Sequence, residues 1–350
     1  MQFRWSQLTE AKFAQASKYE YKIFDMKLDI PLLKLPRQYC AETLAAEVSA
    51  LPRDAWIAHP GKLVGNDAVP LITPGGEITN AFAGPMAPTP HLLKSPYIQE
   101  IMADLGAVWG RSRLMGLAAG SDVPEHVDVG YYWRTHLRIH IPVVTNPKVH
   151  FTCDGTTVHM AAGECWAFDS FCVHNVRNLG AEKRIHLVLD TVGGDKLWDM
   201  MVVTRRAGPQ GTVAKYIAPR KAEINALAYE RVNTPEIMSA WEVRCHIDFL
   251  VRQAPSAPQL GAVTDCLERF AAGWTAAWAQ YGRSHDGLSR YRALIAGVRG
   301  DLRRCCADRI LLKNAVPLYR ALDELIFMVA VTVERSATSV SDSPQIVEKQ

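Results

Sequence analysis

A chain of 350 residues with 48% hydrophobic and 21% charged residues has ordinary globular composition, long enough for two domains or for one large domain with an extension. A formal net charge of +3 is too mild to argue for nucleic acid as a partner, and no run of about 18 apolar residues suggests a membrane span. The eight cysteines show neither CxxC nor zinc-type spacing, and the opening MQFRWSQLTEAKFAQ lacks an apolar signal segment, so the chain reads as a reduced, cytoplasmic protein.

Residues 1–20 are polar with scattered aromatics and read as an N-terminal arm. YKIFDMKLDIPLL (21–33) alternates as strand does, with Pro31 closing the run. PRQYCAETLAAEVSALP (36–52) predicts a helix opened by Pro36 and stopped by Pro52, with Tyr39, Leu44, Val48 and Leu51 near the 3.6 period. Residues 54–90 are rich in Pro, Gly, Asn and Thr and suit short strands on long connections. SPYIQEIMADLGAVWG (95–110) predicts a second helix, capped by Ser95, with Pro96 in its first turn and Gly106 or Gly110 at its end.

From RLMGLAAG to KRIHLVLDTV the chain becomes a series of short period-two segments separated by Gly, Asp and Asn, which implies a mainly β core folded as an antiparallel sandwich or jelly roll. After about Asp199 the texture turns helical, in KYIAPRKAEINALAYERV, TPEIMSAWEVRCHIDFLVRQ, LGAVTDCLERFAAGWTAAWAQY, SRYRALIAGVRGDLRRCC and VPLYRALDELIFMVAVTVERS. Thr234 and Ser284 are the caps expected there, with Pro235 and Pro317 near helix starts. The expected organisation is an arm over 1–20, a β-domain over 21–199, an all-α C-terminal domain over 200–335 and a disordered tail over 336–350.

The chemistry concentrates between Gly120 and Gly194. His126 and Asp128 stand two apart, which on a strand puts both side chains on one face. His174 follows at the entry to an expected turn, HNVRN, and Arg184 comes ten positions later in an apolar alternating run. Two histidines and a carboxylate form the facial triad that leaves positions open on a non-haem iron. In KRIHLVLDTV, Arg184, His186 and Val188 share one face, and a guanidinium in so apolar a strand is costly unless it meets an anion, for which its planar fork is suited. In YYWRTHLRIHIPVV, read as one strand, Arg134, His136, Arg138 and His140 fall on a single basic face, which implies an anion site, and Tyr131, Tyr132 and Trp133 are available as pocket walls.

The stretch resembles the aspartyl/asparaginyl β-hydroxylase family of Fe(II)- and 2-oxoglutarate-dependent oxygenases. The likeness covers roughly residues 50–195. It rests on His126, the LR-x-H strand of Leu137, Arg138 and His140, the G-x-x-x-x-FD run from Gly163 to Asp169, His174 and Arg184. Asp128, where the family's peptide hydroxylases have Gly, together with HM-x-x-GE-x-W (His159 to Trp166) and RIHLVLD (Arg184 to Asp190), makes the chain more similar to the bacterial L-proline cis-4-hydroxylase branch.

The resemblance implies a double-stranded β-helix of cupin-like form with flanking helices. It also implies Fe(II) on His126, Asp128 and His174, 2-oxoglutarate held by Arg184 with Arg138 and His140 nearby, and O2 as co-substrate. One departure stands out: where the peptide hydroxylases have a serine that helps hold the far carboxylate of 2-oxoglutarate, this chain has Met115.

The implied reaction is hydroxylation of a small carboxylate-bearing substrate, a free amino acid by preference and proline-like by analogy, with Arg134, His136 and Trp133 as the residues that meet it. Peptidyl Asp/Asn hydroxylation, lipid acyl-chain hydroxylation and a non-catalytic cupin-like sensor of metal or carboxylate are the alternatives. A helical extension suits a homodimer.

Overall fold

The computed structural model describes residues 28–333 except 29, 62, 209–211 and 221–225, so the arm over 1–20 and the tail over 336–350 lie outside the described residues. Its strands are β1 (Leu32–Tyr39), β2 (Ile57–Ala58), β3 (Asn66–Pro74), β4 (Met86–Pro88), β5 (Val108–Leu117), β6 (Asp122–His126), β7 (Leu137–Val144), β8 (Val149–Cys153), β9 (Thr156–Val158), β10 (Glu164–Phe168), β11 (His174–Asn178), β12 (Arg184–Gly193), β13 (Lys215–Ile217) and β14 (Ala228–Tyr229). They form two sheets: a large one in the order β13-β1-β10-β7-β12-β5-β3-β2, with β4 on β3 and β14 on β5, and a four-stranded one in the order β6-β11-β8-β9. This is the jelly roll that the period-two segments imply.

Alternation decides what each face does. Leu187 and Leu189 of β12, with Leu137, Ile139, Ile141 and Val143 of β7 and Cys165 and Ala167 of β10, join one apolar cluster on the outer face of the large sheet. Helices α1 (Ala41–Ser49), α2 (Pro90–Leu93), α3 (Pro96–Leu105) and α5 (Asp195–Ala207) add Leu44, Val48, Leu92, Ile98, Ile101, Leu105 and Leu197 to that cluster. Burying each such side chain is worth about 1.5–3 kcal/mol, so a one-residue slip that turned them outward is strongly disfavoured. The intervening residues face the small sheet. There Leu117 and Phe168 meet Val149, Phe151, Cys153 and Val176 in a smaller cluster between the sheets.

Several local expectations change. The helix expected from Pro36 starts at Ala41, because β1 continues to Tyr39; a register shift between Leu35 and Gln38 accommodates Pro36, which has no N–H to give the ladder. The helix expected over 95–110 ends at Leu105. Gly106 adopts the left-handed conformation (φ 63°) that terminates it, and Val108 already belongs to β5. Ser95 precedes this helix without capping it; its hydroxyl donates to the His91 carbonyl instead.

Short strands and a packed helix also come from beyond residue 199 or next to it. Residues expected in the helical part lie in β13 and β14, which pair in parallel with β1 and with the start of β5, and α5 packs on the β-domain. Strand segments left unpaired at a sheet margin recruit such returning chain. The helical lobe proper begins with α6 (Ala240–Gln253), capped by Ser239 rather than Thr234, and continues through α7 (Leu260–Tyr281), α8 (Leu288–Arg304) and α9 (Leu318–Leu322). Its own cluster is built on Ile247, Leu250, Leu267, Trp274, Tyr291 and Leu322, and takes in Val127 and Phe171 from the β-domain. No helix among the described residues is long and apolar enough to cross a membrane.

Candidate metal centre

β6 and β11 run antiparallel with His126 directly opposite His174, and the two ring centres lie 4.1 Å apart. Each Nδ1 sits against a carbonyl oxygen: that of His126 2.8 Å from Pro124 O, that of His174 2.9 Å from Cys172 O. A carbonyl only accepts, so in both rings Nδ1 carries the proton and Nε2 keeps its lone pair, the tautomer a metal ligand needs. Asp128 lies two residues past the end of β6, where its N–H donates to Ser170 O at 3.0 Å. That turn brings Oδ1 to 3.9 Å from His126 Nε2.

One donor atom from each of His126, Asp128 and His174 lies within 4.8 Å of the other two, near the spacing required of ligands about 2.0–2.2 Å from one ion. Among the described residues this is the one such His/Cys/Asp/Glu cluster. The expected convergence is therefore present, though by a different route. His126 ends a strand and Asp128 lies beyond it, and His174 opens β11 instead of entering a turn.

The electrostatics keep these groups ready to bind a cation. Burial pushes the Asp128 carboxyl up, but the Arg138 guanidinium and the two imidazoles outweigh it and hold the group at about 2. Burial, with His126 alongside, lowers His174 to about 3, so its ring is neutral. Arg138 donates from Nη1 to Asp128 Oδ2 at 2.6 Å and from Nε to Asp190 Oδ1 at 2.8 Å. It thus occupies one oxygen of Asp128, leaves Oδ1 facing the histidines, and spends its charge on two protein carboxylates.

The single basic strand face is not formed. Tyr131–Thr135 is a short helix, α4, and β7 begins only at Leu137. Gly130 (φ 139°) turns the chain into it, and the Thr135 hydroxyl closes it by donating to Tyr131 O and Tyr132 O. The helix carries Arg134 and His136 away from Arg138 and His140. Arg134 stacks over Phe249 of the helical lobe at 4.1 Å, and His136 pairs with buried Glu230 at 3.0 Å. Trp133 stays near the centre, with the Arg138 and Arg111 guanidinium carbons each 4.7 Å from its ring centre.

The parity expected on β12 holds. Arg184, His186 and Asp190 are all buried and face the small sheet. Arg184 Nε and Nη2 have no hydrogen-bond partner among the described residues, and burial lowers its pKa to about 9. His140 packs edge-on to Phe168 and Phe151 with Nδ1 also unpartnered, and burial, with Arg184 and Arg138 nearby, pushes its pKa down.

Sequence reading gave no role to Asp190, Ser170, Glu230 or His186. Asp190 is directly opposite Arg138 in the β7–β12 register, which period-two patterning alone does not reveal. Ser170 acts through its carbonyl, for which no side-chain signal exists.

A donor set of two imidazole nitrogens and one carboxylate oxygen suits Fe(II). The buried, unpaired guanidinium edge of Arg184 suits an anionic companion to it.

Comparison with known proteins agrees with the resemblance. Residues 73–193 match the model of the aspartyl/asparaginyl beta-hydroxylase family. A curated relative, L-proline cis-3-hydroxylase 1 from Streptomyces sp, is 28% identical over 110 residues, covering 30% of this chain and 38% of that protein. The chain thus matches well under half the length of this relative, which is named as a cis-3- rather than a cis-4-hydroxylase. Among solved structures, an oxidoreductase of the 2OG-Fe(II) oxygenase family from Burkholderia pseudomallei aligns over 55% of this chain and 96% of its own, at 15% identity and a TM-score of 0.32. A predicted oxalate decarboxylase from Thermotoga maritima aligns over 23% of this chain and 64% of its own, at 23% identity and a TM-score of 0.19.

Proposed function

We propose that this protein is an Fe(II)- and 2-oxoglutarate-dependent hydroxylase acting on a small carboxylate-bearing substrate, a free amino acid by preference. The observation that carries this reading is the pairing of a two-His, one-Asp donor set with a buried arginine, Arg184, whose Nε and Nη2 have no acceptor among the described residues. The relative's name as an L-proline hydroxylase supports an amino-acid substrate.

His126 and His174 would hold Fe(II) through Nε2, and Asp128 through Oδ1. Bound there, Fe(II) supplies O2 activation coupled to decarboxylation of 2-oxoglutarate to succinate, and insertion of one oxygen atom into a substrate C–H bond.

The chain's own residues set the geometry. Pro124 O and Cys172 O fix both histidine tautomers, and Arg138 orients Asp128 and keeps it ionised. Such outer contacts typically matter 10–100-fold in metal affinity, to order of magnitude. Arg184 offers its fork to the far carboxylate of 2-oxoglutarate, with His140 beside it. Phe151 and Phe168 wall the space between the sheets and keep water from it. The substrate is best placed against Trp133, whose ring centre lies 4.7 Å from the guanidinium carbons of Arg138 and Arg111, since Arg138 touches Asp128 directly. Arg134 and His136, each engaged elsewhere, are not assigned to the substrate.

The test is aerobic incubation with Fe(II), 2-oxoglutarate and a pool of free amino acids, followed by mass spectrometry for succinate and for a product heavier by one oxygen atom. Tight metal binding with no succinate in any mixture overturns the reading and supports a sensor.

A further inference from the structure

His186 takes no part in holding the metal, yet it is among the most unusual buried groups in the molecule. It is 1% exposed, and neither ring nitrogen has a hydrogen-bond partner among the described residues. The large majority of buried polar side-chain atoms are paired, so an orphaned imidazole calls for a partner supplied from outside the chain.

Its surroundings show what kind. His186 is two residues beyond Arg184 on the same inward face of β12, and Arg184 Nε and Nη2 are likewise unpaired. The cross-strand neighbours of His186 are Met115 on β5 and Pro142 on β7, and neither side chain donates a hydrogen bond. His140, with its ring centre 5.6 Å away and nearly perpendicular, adds a second imidazole with an unpartnered nitrogen. No protein carboxylate pairs with Arg184 or His186 among the described residues. Unpaired N–H groups accumulate here with no carboxylate to receive them among the described residues, which is the complement of a carboxylate.

We propose that His186 is a cosubstrate-binding residue, donating a ring N–H to the carboxylate that Arg184 clamps. The proposal rests on the reading of the site as one that binds 2-oxoglutarate. A carboxylate has about four acceptor positions, more than one guanidinium edge fills. Since Met115 offers none of the missing donors from β5, they come from β12 itself. A neutral imidazole serves better than a second cation, because it adds a hydrogen bond without placing another charge beside Arg184. Both burial and Arg184 push His186 toward that neutral form.

The test measures binding rather than turnover. Under anaerobic conditions, Fe(II) is titrated first, then 2-oxoglutarate, following the visible absorption of the ternary complex, for the wild type, His186→Leu, His186→Met and His186→Gln. The donor-less Leu and Met variants are expected to keep Fe(II) affinity and to bind 2-oxoglutarate roughly 10- to 100-fold more weakly, the worth of a hydrogen bond to a charged group. His186→Gln restores an N–H and recovers most of the loss. 2-Oxovalerate, which lacks the far carboxylate, is expected to bind the wild type and the variants alike.

Wild-type affinity for 2-oxoglutarate in a folded donor-less variant overturns the proposal while leaving the reading of the site intact, as does an equal loss for 2-oxovalerate. Should the Leu variant not fold, the Met variant decides, and thermal melting identifies which of them are usable. Failure of the Fe(II)-loaded wild type to bind 2-oxoglutarate sinks the site reading and this proposal together.

Discussion

The space between the two sheets and the core of the helical lobe are equally buried, yet they are filled in opposite ways. The lobe packs Leu250, Leu267, Trp274, Tyr291 and Leu322 against one another, and the one polar atom of Trp274 reaches Met238 O at 3.0 Å. Between the sheets stand Asp128, Arg138, His140, His174, Arg184, His186 and Asp190, and several of their polar atoms have no partner among the described residues. Among the described buried side chains, the lobe leaves only the two ring nitrogens of His246 without a hydrogen-bond partner, whereas the space between the sheets leaves nitrogens of His140, Arg184 and His186. The two meet where Phe171, next to the Ser170 carbonyl that holds Asp128, packs its ring 5.3 Å from Phe249. The lobe thus backs the loop that holds Asp128, the candidate carboxylate ligand.

The contrast predicts an unusual acid sensitivity. His140, His174 and His186 between the sheets, and His246 in the lobe, all have pKa values lowered first by burial. Their folded values lie below the ordinary value near 6.5, so the unfolded chain takes up protons first. Their contribution to stability is full above pH ~6.5 and is lost as pH falls below it. Each such group adds up to about 1.4 kcal/mol per pH unit to the slope while the unfolded chain alone holds its proton. Denaturant titrations of metal-free protein from pH 7 to pH 4 would read it; a slope of a single proton would mean that the inner imidazoles are not buried neutral.

Substitutions separate the regions further. Trp274→Ala is expected to cost about 3–5 kcal/mol by opening a cavity in the lobe, with Fe(II) affinity nearly unchanged in the folded fraction. Arg138→Leu strands two buried carboxylates, so a loss of about 3–5 kcal/mol should come with an Fe(II) affinity lower by roughly 10- to 100-fold. Calorimetry paired with metal titration distinguishes the two patterns, and an Arg138→Leu protein that binds Fe(II) normally removes Arg138 from its orienting role. The smallest effect has the opposite sign. Arg184→Leu removes a buried cation with unpaired donors and is expected to raise metal-free stability by about 1–3 kcal/mol while abolishing 2-oxoglutarate binding. A destabilised Arg184→Leu would show that the guanidinium is satisfied within the protein.

How much of this was legible in the sequence follows from which forces are local. Face parity is local, so Arg184 and His186 on one side of β12, with Leu187 on the other, could be read directly. The triad His126, Asp128 and His174 was legible from residue type and spacing. The break before β7 was not: YYWRTHLR alternates well enough for strand, and what makes Tyr131–Thr135 a helix is the turn at Gly130 and the return hydrogen bonds of Thr135. Register is also beyond a single sequence, so the partnership of Arg138 with Asp190 across β7 and β12 was invisible. The segments that become β13 and β14 were misread because they are short strands, set by sheet margins they find rather than by their own periodicity.

The central claim is that the donor-rich space between the sheets is a working Fe(II) and 2-oxoglutarate site. The most direct test supplies both with O2 and a free amino-acid pool, comparing wild type with His174→Ala. The account predicts succinate from the wild type in step with one amino acid gaining an oxygen atom, and neither product from the variant. Succinate and hydroxylated product that persist in His174→Ala, or a wild type that binds Fe(II) and yields neither, would contradict it.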